Sequence, residues 1–223
     1  MRIVILDLET RPDPALPFTP PADRPDAFPP PAHHEIVCFG TLLWGSDGPV
    51  KLLNLPGDER SALEHFARLL TRGTQLVTWN GGQFDLPVIV ARCLKHRIAL
   101  PEYFQGRGYR YRFSEEGHLD LSDQLADYGR AHAKLDTFAR LVGLPGKGAV
   151  DGSQVAELWA AGQHELVRRY CLDDVAQTAR LWLEWRHLTG SLRPEVLDQE
   201  VGKLDACVAA LDEPADAAET GEA

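Results

Sequence analysis

The sequence predicts an α/β fold, a mixed sheet of about five strands flanked by helices on both faces. Three observations carry that expectation. Short apolar, strand-like runs are confined to the first half of the chain. A Gly45-Ser46-Asp47-Gly48 tetrad suits an antiparallel hairpin between two of them. From Ser122 to about Leu188 the pattern is helical, broken at 143–152 and at Gly162. At 223 residues, 44% of them apolar or aromatic, the chain can bury one substantial core. The simplest partition is one domain over residues 1–190 followed by an acidic helix and tail over 191–223, partly disordered.

Residues 2–8 hold Ile3, Val4, Ile5 and Leu6 in succession, the composition of a buried strand. Residues 12–32 carry nine prolines, which deny donors to a sheet, so the strand gives way to a surface loop close to the acids that end it. Ile36 to Trp44 and Val50 to Leu55 are the two arms of the hairpin and complete a three-stranded meander. A helix follows from about Asp58 to Thr71, with Leu63, Phe66, Ala67 and Leu70 on one face. Gln75 to Trp79 makes a fourth strand, stopped by Gly81-Gly82. Phe84 to His96 is helical by period, with Pro87 tolerated in the first turn. His118-Leu119-Asp120-Leu121 is a short fifth strand, and a last helix runs from about Glu195 through Ala210. There is no internal repeat.

Composition excludes several classes. No apolar run has membrane-spanning length, and the first one is too short for a signal peptide, so a soluble cytoplasmic protein is expected. Cys38, Cys93, Cys171 and Cys207 form no CxxC pair, which argues against a zinc knuckle or a disulfide framework. The formal charge of -10 is concentrated: residues 195–223 hold nine acids against Lys203, a net of -8, leaving about -2 for the rest. The body of the chain therefore need not repel a polyanion, and the acidic tail is a candidate segment for binding a protein partner.

Three acidic motifs occur in order: Asp7-Leu8-Glu9-Thr10, Asn80-Gly81-Gly82-Gln83-Phe84-Asp85 and Tyr170-Cys171-Leu172-Asp173-Asp174. On a strand, Asp7 and Glu9 point to one side with Leu8 behind them. Across the Gly-Gly bend, a strand-end amide, Asn80, and a helix-start carboxylate, Asp85, can face one crevice, where Phe84 can stack on a base or sugar. Tyr170 and Asp174 stand at i and i+4 on one helical face, and Asp173 lies about 100° off it. Each motif alone also has a plain reading: an exposed strand end, a helix cap at Asn80 with Phe84 in the core, and an amphipathic helix with a buried tyrosine. Together they supply four carboxylates and a phenol. Oxygen donors of this kind suit two Mg²⁺ or Mn²⁺ ions, which roughly 3.5–4 Å apart can activate a water and clamp a phosphodiester.

In these motifs the chain resembles the DEDD exonucleases of the RNase H-like superfamily, most closely the predicted 3'-5' exonucleases similar to the proofreading domain of family B DNA polymerases. His118-Leu119-Asp120-Leu121 and the stretch from Gly146-Lys147-Gly148 to Asp151-Gly152-Ser153-Gln154 look like accessory signatures, so the resemblance covers about residues 1–186. A histidine-type relative would carry His where this chain has Arg169; here the position four before the last Asp is Tyr170, the tyrosine type. The resemblance implies Asp7, Glu9, Asp85 and Asp174 as ligands of two divalent cations and Tyr170 as the residue orienting the water. It also implies Leu8, Thr10, Asn80 and Phe84 as substrate contacts. The implied activity is hydrolysis of single-stranded DNA from the 3' end to nucleoside 5'-monophosphates. Alternatives are RNA 3' ends, or a weakly active nucleic-acid-binding module of the same fold. The chain leaves no room for polymerase palm or fingers, so a free-standing enzyme is expected.

Weaker signals remain. Arg107, Tyr109, Arg110, Tyr111 and Arg112 mix cations and aromatics, as single-strand binders do, and read equally as a solvated loop. Asp120 is a candidate partner behind the site or a strand-end cap. Lys147 is a candidate phosphate contact or a plain loop lysine. His33-His34 shows no ligand pattern.

Overall fold

The structure, a computed structural model, describes residues 2–131, 134–146 and 150–212. Its elements are β1 (Arg2–Pro12), β2 (His34–Gly45), β3 (Gly48–Asn54), α1 (Glu59–Leu69), β4 (Thr74–Thr78), α2 (Asp85–His96) and α3 (Pro101–Gln105). They are followed by β5 (His118–Asp120), α4 (Leu121–Leu125), α5 (Leu135–Leu141), α6 (Val155–Ala160), α7 (His164–Leu188) and α8 (Pro194–Ala209). The strands form one mixed sheet in the order β3-β2-β1-β4-β5. The meander β1-β2-β3 is antiparallel, whereas β4 and β5 add in parallel, each reached through a helix.

Alternation along β1 divides the core. Ile3 and Ile5 face one side with Leu42, Trp44, Val77 and the α7 residues Val175, Ala179 and Trp182. Val4, Leu6 and Leu8 face the other with Phe39, Leu63, Phe66 and Ile89 beneath α1 and α2. Burying each such side chain contributes roughly 1.5–3 kcal/mol, and the two-residue period fixes the register because a one-residue slip would turn both sets to the wrong face. Helix α8 packs on α7 and β3 and buries Leu204 in the first of these layers.

Three elements differ from the sequence expectation. The helical run from Ser122 stops at Leu125, where Asp127 and Tyr128 take left-handed backbone angles, and resumes at Leu135. β1 runs to Pro12 rather than to residue 8, because a register shift between Glu9 and Thr10 lets Thr10, Arg11 and Pro12 go on pairing with Ile36, Glu35 and His34. Pro12 ends the strand, where its missing donor is tolerated. The short α3, with Pro101 in its first turn, had no counterpart in the sequence reading. The pairing of β1 with β4 stops at Ile5 and Val77, so beyond Ile5 the strand projects past the parallel half of the sheet with β2 alone beside it. That overhang carries Asp7 and Glu9.

Candidate active site

Asp7 and Glu9 continue the side of β1 that Ile3 and Ile5 begin, so they face α7, while Leu8 is buried on the opposite side. A single glycine sets how closely α7 approaches. Gly40 pairs with Asp7 across β1 and β2, and a Cβ there would lie 2.8 Å from Cys171 Sγ and 3.0 Å from Val175 Cγ2. Without one, the Cys171 thiol reaches within 3.5 Å of the Asp7 carbonyl oxygen and 3.9 Å of its Oδ2. Asp7, Glu9 and Cys171 place ligand atoms within 4.8 Å of one another. Burial, contact with Cys38 and the nearby acids hold the Cys171 thiol well above its usual range. It stays protonated, which leaves the carboxylate oxygens as the donors fit for a hard divalent cation.

The second motif is shaped by Asp120. At the end of β4 the chain turns through Asn80 in the left-handed region (φ 62°). Asp120, at the end of β5, accepts the N–H of Asn80 on Oδ1 (2.8 Å) and that of Gly82 on Oδ2 (2.9 Å), and its Oδ1 also takes the Ser122 N–H (3.1 Å) and hydroxyl (3.0 Å). Gly81 donates to Thr78 Oγ1 (3.2 Å), which is 2.8 Å from Nε2 of buried His118. Asn80 is therefore not the cap of α2; that position is Phe84, without a side-chain cap bond. Asp85 begins the helix and accepts the Leu8 N–H (3.1 Å), which ties the second motif to the first. Burial, with added repulsion from Asp120 and Asp174, lifts the Asp85 carboxyl to about 7 despite two backbone donors.

Tyr170 and Asp174 interrupt the buried stripe of α7 between Val167 and Val175. The Tyr170 hydroxyl is bonded to the Asp174 carboxylate, and burial plus the charges of Asp174, Glu9 and Asp7 push it well above the ordinary phenol range. It is a donor at neutral pH. The turn at Gly152 lies over it, with a Cβ at Gly152 falling 3.7 Å from the hydroxyl oxygen. Asp173 points off this face and pairs with Arg169 at 2.8 Å.

Asp7, Leu8, Asn80, Phe84, Asp85 and Asp174 line one cleft of about 920 Å³, which Lys134 and Arg140 also border. The proline-rich segment reaches its rim: Phe28, 71% exposed, packs on Phe84 (5.7 Å between ring centroids) and on His34 (5.1 Å). Glu9, Thr10 and Tyr170 do not line this cleft: Glu9 sits beside Asp7 and Cys171, Tyr170 lines a neighbouring cavity that shares Asp174, and beyond the bulge the Thr10 hydroxyl sits 3.0 Å from His34 Nδ1. Tyr109 is likewise not part of an exposed cation-aromatic track, being buried with its hydroxyl donating to the Thr74 carbonyl oxygen (2.5 Å). Lys147, with the Gly148 that follows it, lies outside the described residues. Gly40 had no place in the sequence reading, although a glycine inside a strand run is a recognised sign of close backbone approach, and Cys171 entered it only as part of the third motif and as an unpaired cysteine.

A family model described as a predicted 3'-5' exonuclease related to the exonuclease domain of PolB matches residues 26–219. The match includes Asp85, Tyr170 and Asp174 and begins after Asp7 and Glu9. Among solved structures, the family B DNA polymerase from the hyperthermophilic archaeon Pyrobaculum calidifontis superposes with a TM-score of 0.58 at 21% identity, over 83% of this chain and 24% of the polymerase. At that identity the likeness shows a shared fold, the RNase H-like α/β sheet, and the chain spans about a quarter of the polymerase's length. No curated protein matches the sequence.

Proposed function

Because this chain belongs to the family of predicted 3'-5' exonucleases related to the exonuclease domain of PolB, we propose that it hydrolyses single-stranded DNA from the 3' end to nucleoside 5'-monophosphates, using two divalent cations, Mg²⁺ or Mn²⁺. The observation that carries this reading is the meeting of the three motifs. Asp85 is bonded to the backbone of Leu8 between Asp7 and Glu9, it feels the charge of Asp174, and Asp174 is bonded to Tyr170.

In this reading Asp7, Glu9, Asp85 and Asp174 hold the cations. Bound there, divalent cations lower the pKa of a coordinated water and offset charge on the scissile phosphate. The chain's own groups do the rest. A carboxyl raised to about 7 stands between its neutral and charged forms, so Asp85 would give up its proton on binding a cation near neutral pH. Tyr170, held protonated, does not act as a base; its hydroxyl fixes the water's position beside Asp174. Phe84, backed by Phe28, offers a ring face to the terminal base, and Lys134 brings positive charge to the cleft for the phosphates, Arg140 being paired with Asp136.

The test is hydrolysis of matched 5'-labelled single-stranded DNA and RNA with Mg²⁺ or Mn²⁺, beside EDTA and Asp174→Ala controls, resolved at single nucleotides. A ladder shortening from the 3' end, absent in both controls and stronger on DNA, is expected. Equal turnover by Asp174→Ala would sink the assignment, and preferential cleavage of RNA would make the substrate RNA.

A further inference from the structure

A second group of aromatic side chains stands outside the cleft. Tyr111 (64% exposed) and Phe113 (57% exposed) meet edge to face with centroids 5.8 Å apart, and Phe113 packs on Tyr128 at 4.8 Å. The neighbouring Arg110 places its guanidinium 5.2 Å above the ring of Phe104. The patch is anchored rather than free. Arg112 grips buried Asp123 through two bonds (2.7 and 2.5 Å) and reaches the Tyr128 carbonyl oxygen (3.2 Å), while Gln124 donates to the Tyr128 hydroxyl (3.1 Å). Asp127 and Tyr128 both take left-handed backbone angles (φ 49° and 56°), a conformation that turns the Tyr128 ring toward Phe113.

In sequence, residues of the cleft and of its supporting turn flank this anchored segment. Asp123 sits in the same short helix that Asp120 caps, and Asp120 holds the turn carrying Asn80. Lys134, six residues after Tyr128 in sequence, lines the cleft itself. We propose that Tyr111, Phe113 and Tyr128 form a stacking platform for bases of the single strand 5' of the nucleotide held in the cleft. The proposal rests on the exonuclease reading of that cleft, which accommodates the strand's end and leaves the remainder to cross the adjoining surface.

The chemistry favours ring stacking over phosphate neutralisation. Arg112 and Arg130 are engaged with Asp123 and Asp127, and Glu115 and Glu116 are exposed nearby, so the patch is not strongly basic. Nucleobases satisfy exposed rings irrespective of sequence, and a contact of this type carries little salt dependence.

The experiment compares DNA oligomers of about 3 and about 12 nucleotides, below and within the ~4–16-nucleotide span of single-strand sites. KM and kcat are measured with Mn²⁺, and binding by anisotropy in EDTA. Tyr111→Ala/Phe113→Ala is expected to raise KM and Kd for the longer strand roughly 10-fold. Its kcat, and all parameters for the shorter strand, should be unchanged. Phe113→Tyr, which keeps the ring face, should bind like the parent. An unaltered KM for the longer strand, or a loss shared equally by both lengths, overturns the platform. Absence of cleavage by the parent strikes instead at the exonuclease reading, and the length-dependent binding in EDTA still decides the platform.

Discussion

Acids are packed at both ends of helix α2, Asp85 on the helix itself and Asp13 and Glu59 against its far end, and the chain treats them in opposite ways. Toward its C-terminus Arg92, 2% exposed, bonds Asp13 and both oxygens of Glu59, while Lys95 adds a second contact to Asp13 (2.8 Å) and His96 one to Glu59 (2.6 Å). Burial would raise both carboxyls, but these donors outweigh it and hold Asp13 and Glu59 below their usual values. At the N-terminus Asp85 is buried as deeply, yet the charges around it are Asp120 and Asp174, and its carboxyl rises to about 7. The first group is compensated within the chain and pins the proline-rich segment and α1 to α2. The second is a cluster of like charges, which costs stability and makes sense as a cation site.

Removing one member of each group separates the two roles most sharply. Arg92→Met removes the buried cation shared by both carboxylates, leaving Lys95 on Asp13 and His96 on Glu59, and is expected to cost about 3–5 kcal/mol in urea denaturation, by the measured cost of breaking a buried pair. Asp85→Asn, equally buried, relieves repulsion and keeps an acceptor for the Leu8 N–H. Its stability without metal should change by no more than about 1 kcal/mol, in either direction, although Mn²⁺-dependent cleavage is lost. A loss in Asp85→Asn as large as that in Arg92→Met would break the contrast.

Acidity gives the next largest effect, with opposite signs at the two ends. A carboxyl raised to about 7 when folded, against 3.8 otherwise, binds its proton in the native state. Its contribution is complete below 3.8 and is lost as pH rises toward 7. Asp13 and Glu59, lowered from 3.8 and 4.5, contribute above those values and lose that contribution as pH falls through their depressed folded values. In EDTA the midpoint of thermal unfolding should fall from about pH 5 to about pH 7.5, and Asp85→Asn should flatten that limb only. Mn²⁺ should restore stability at the upper end by displacing the proton. A flat limb in the parent protein would place the Asp85 proton elsewhere.

The two groups also differ in how far the sequence disclosed them. Asp7, Glu9, Asp85, Tyr170 and Asp174 were legible because local periods place them: two apart on a strand, first in a helix, four apart on a helix. The meander and its hairpin were legible for the same reason. The Asp13–Arg92–Glu59 group joins residues far apart in sequence through side-chain reach alone, and no local pattern records it. Gly40 acts across the sheet on α7, a contact that exists only once β2 and α7 are packed. Tyr109 was misleading because alternating Arg and Tyr suggests a solvated strip, whereas its ring packs in the core beneath α3.

The smallest and most diagnostic effect is expected at Asp120, which sits between these extremes: visible in the sequence as a strand-end acid, but defined only by the two amides it holds. Asn80 and Gly82 each donate to a different carboxylate oxygen, so Asp120→Asn sets an NH₂ group against one of those N–H donors. A donor left unmatched there costs about 1–3 kcal/mol and loosens the turn that leads into Asp85. Cleavage should fall about 10-fold, as when a residue behind a metal ligand is changed. Loosening alone would leave the pH profile in place. Loss of the Asp120 charge also removes one cause of the raised Asp85 carboxyl, so the acidic limb of the rate profile should move to lower pH. A 10-fold loss with an unmoved limb would make Asp120 a structural clamp only, and separate its hydrogen bonds from its charge.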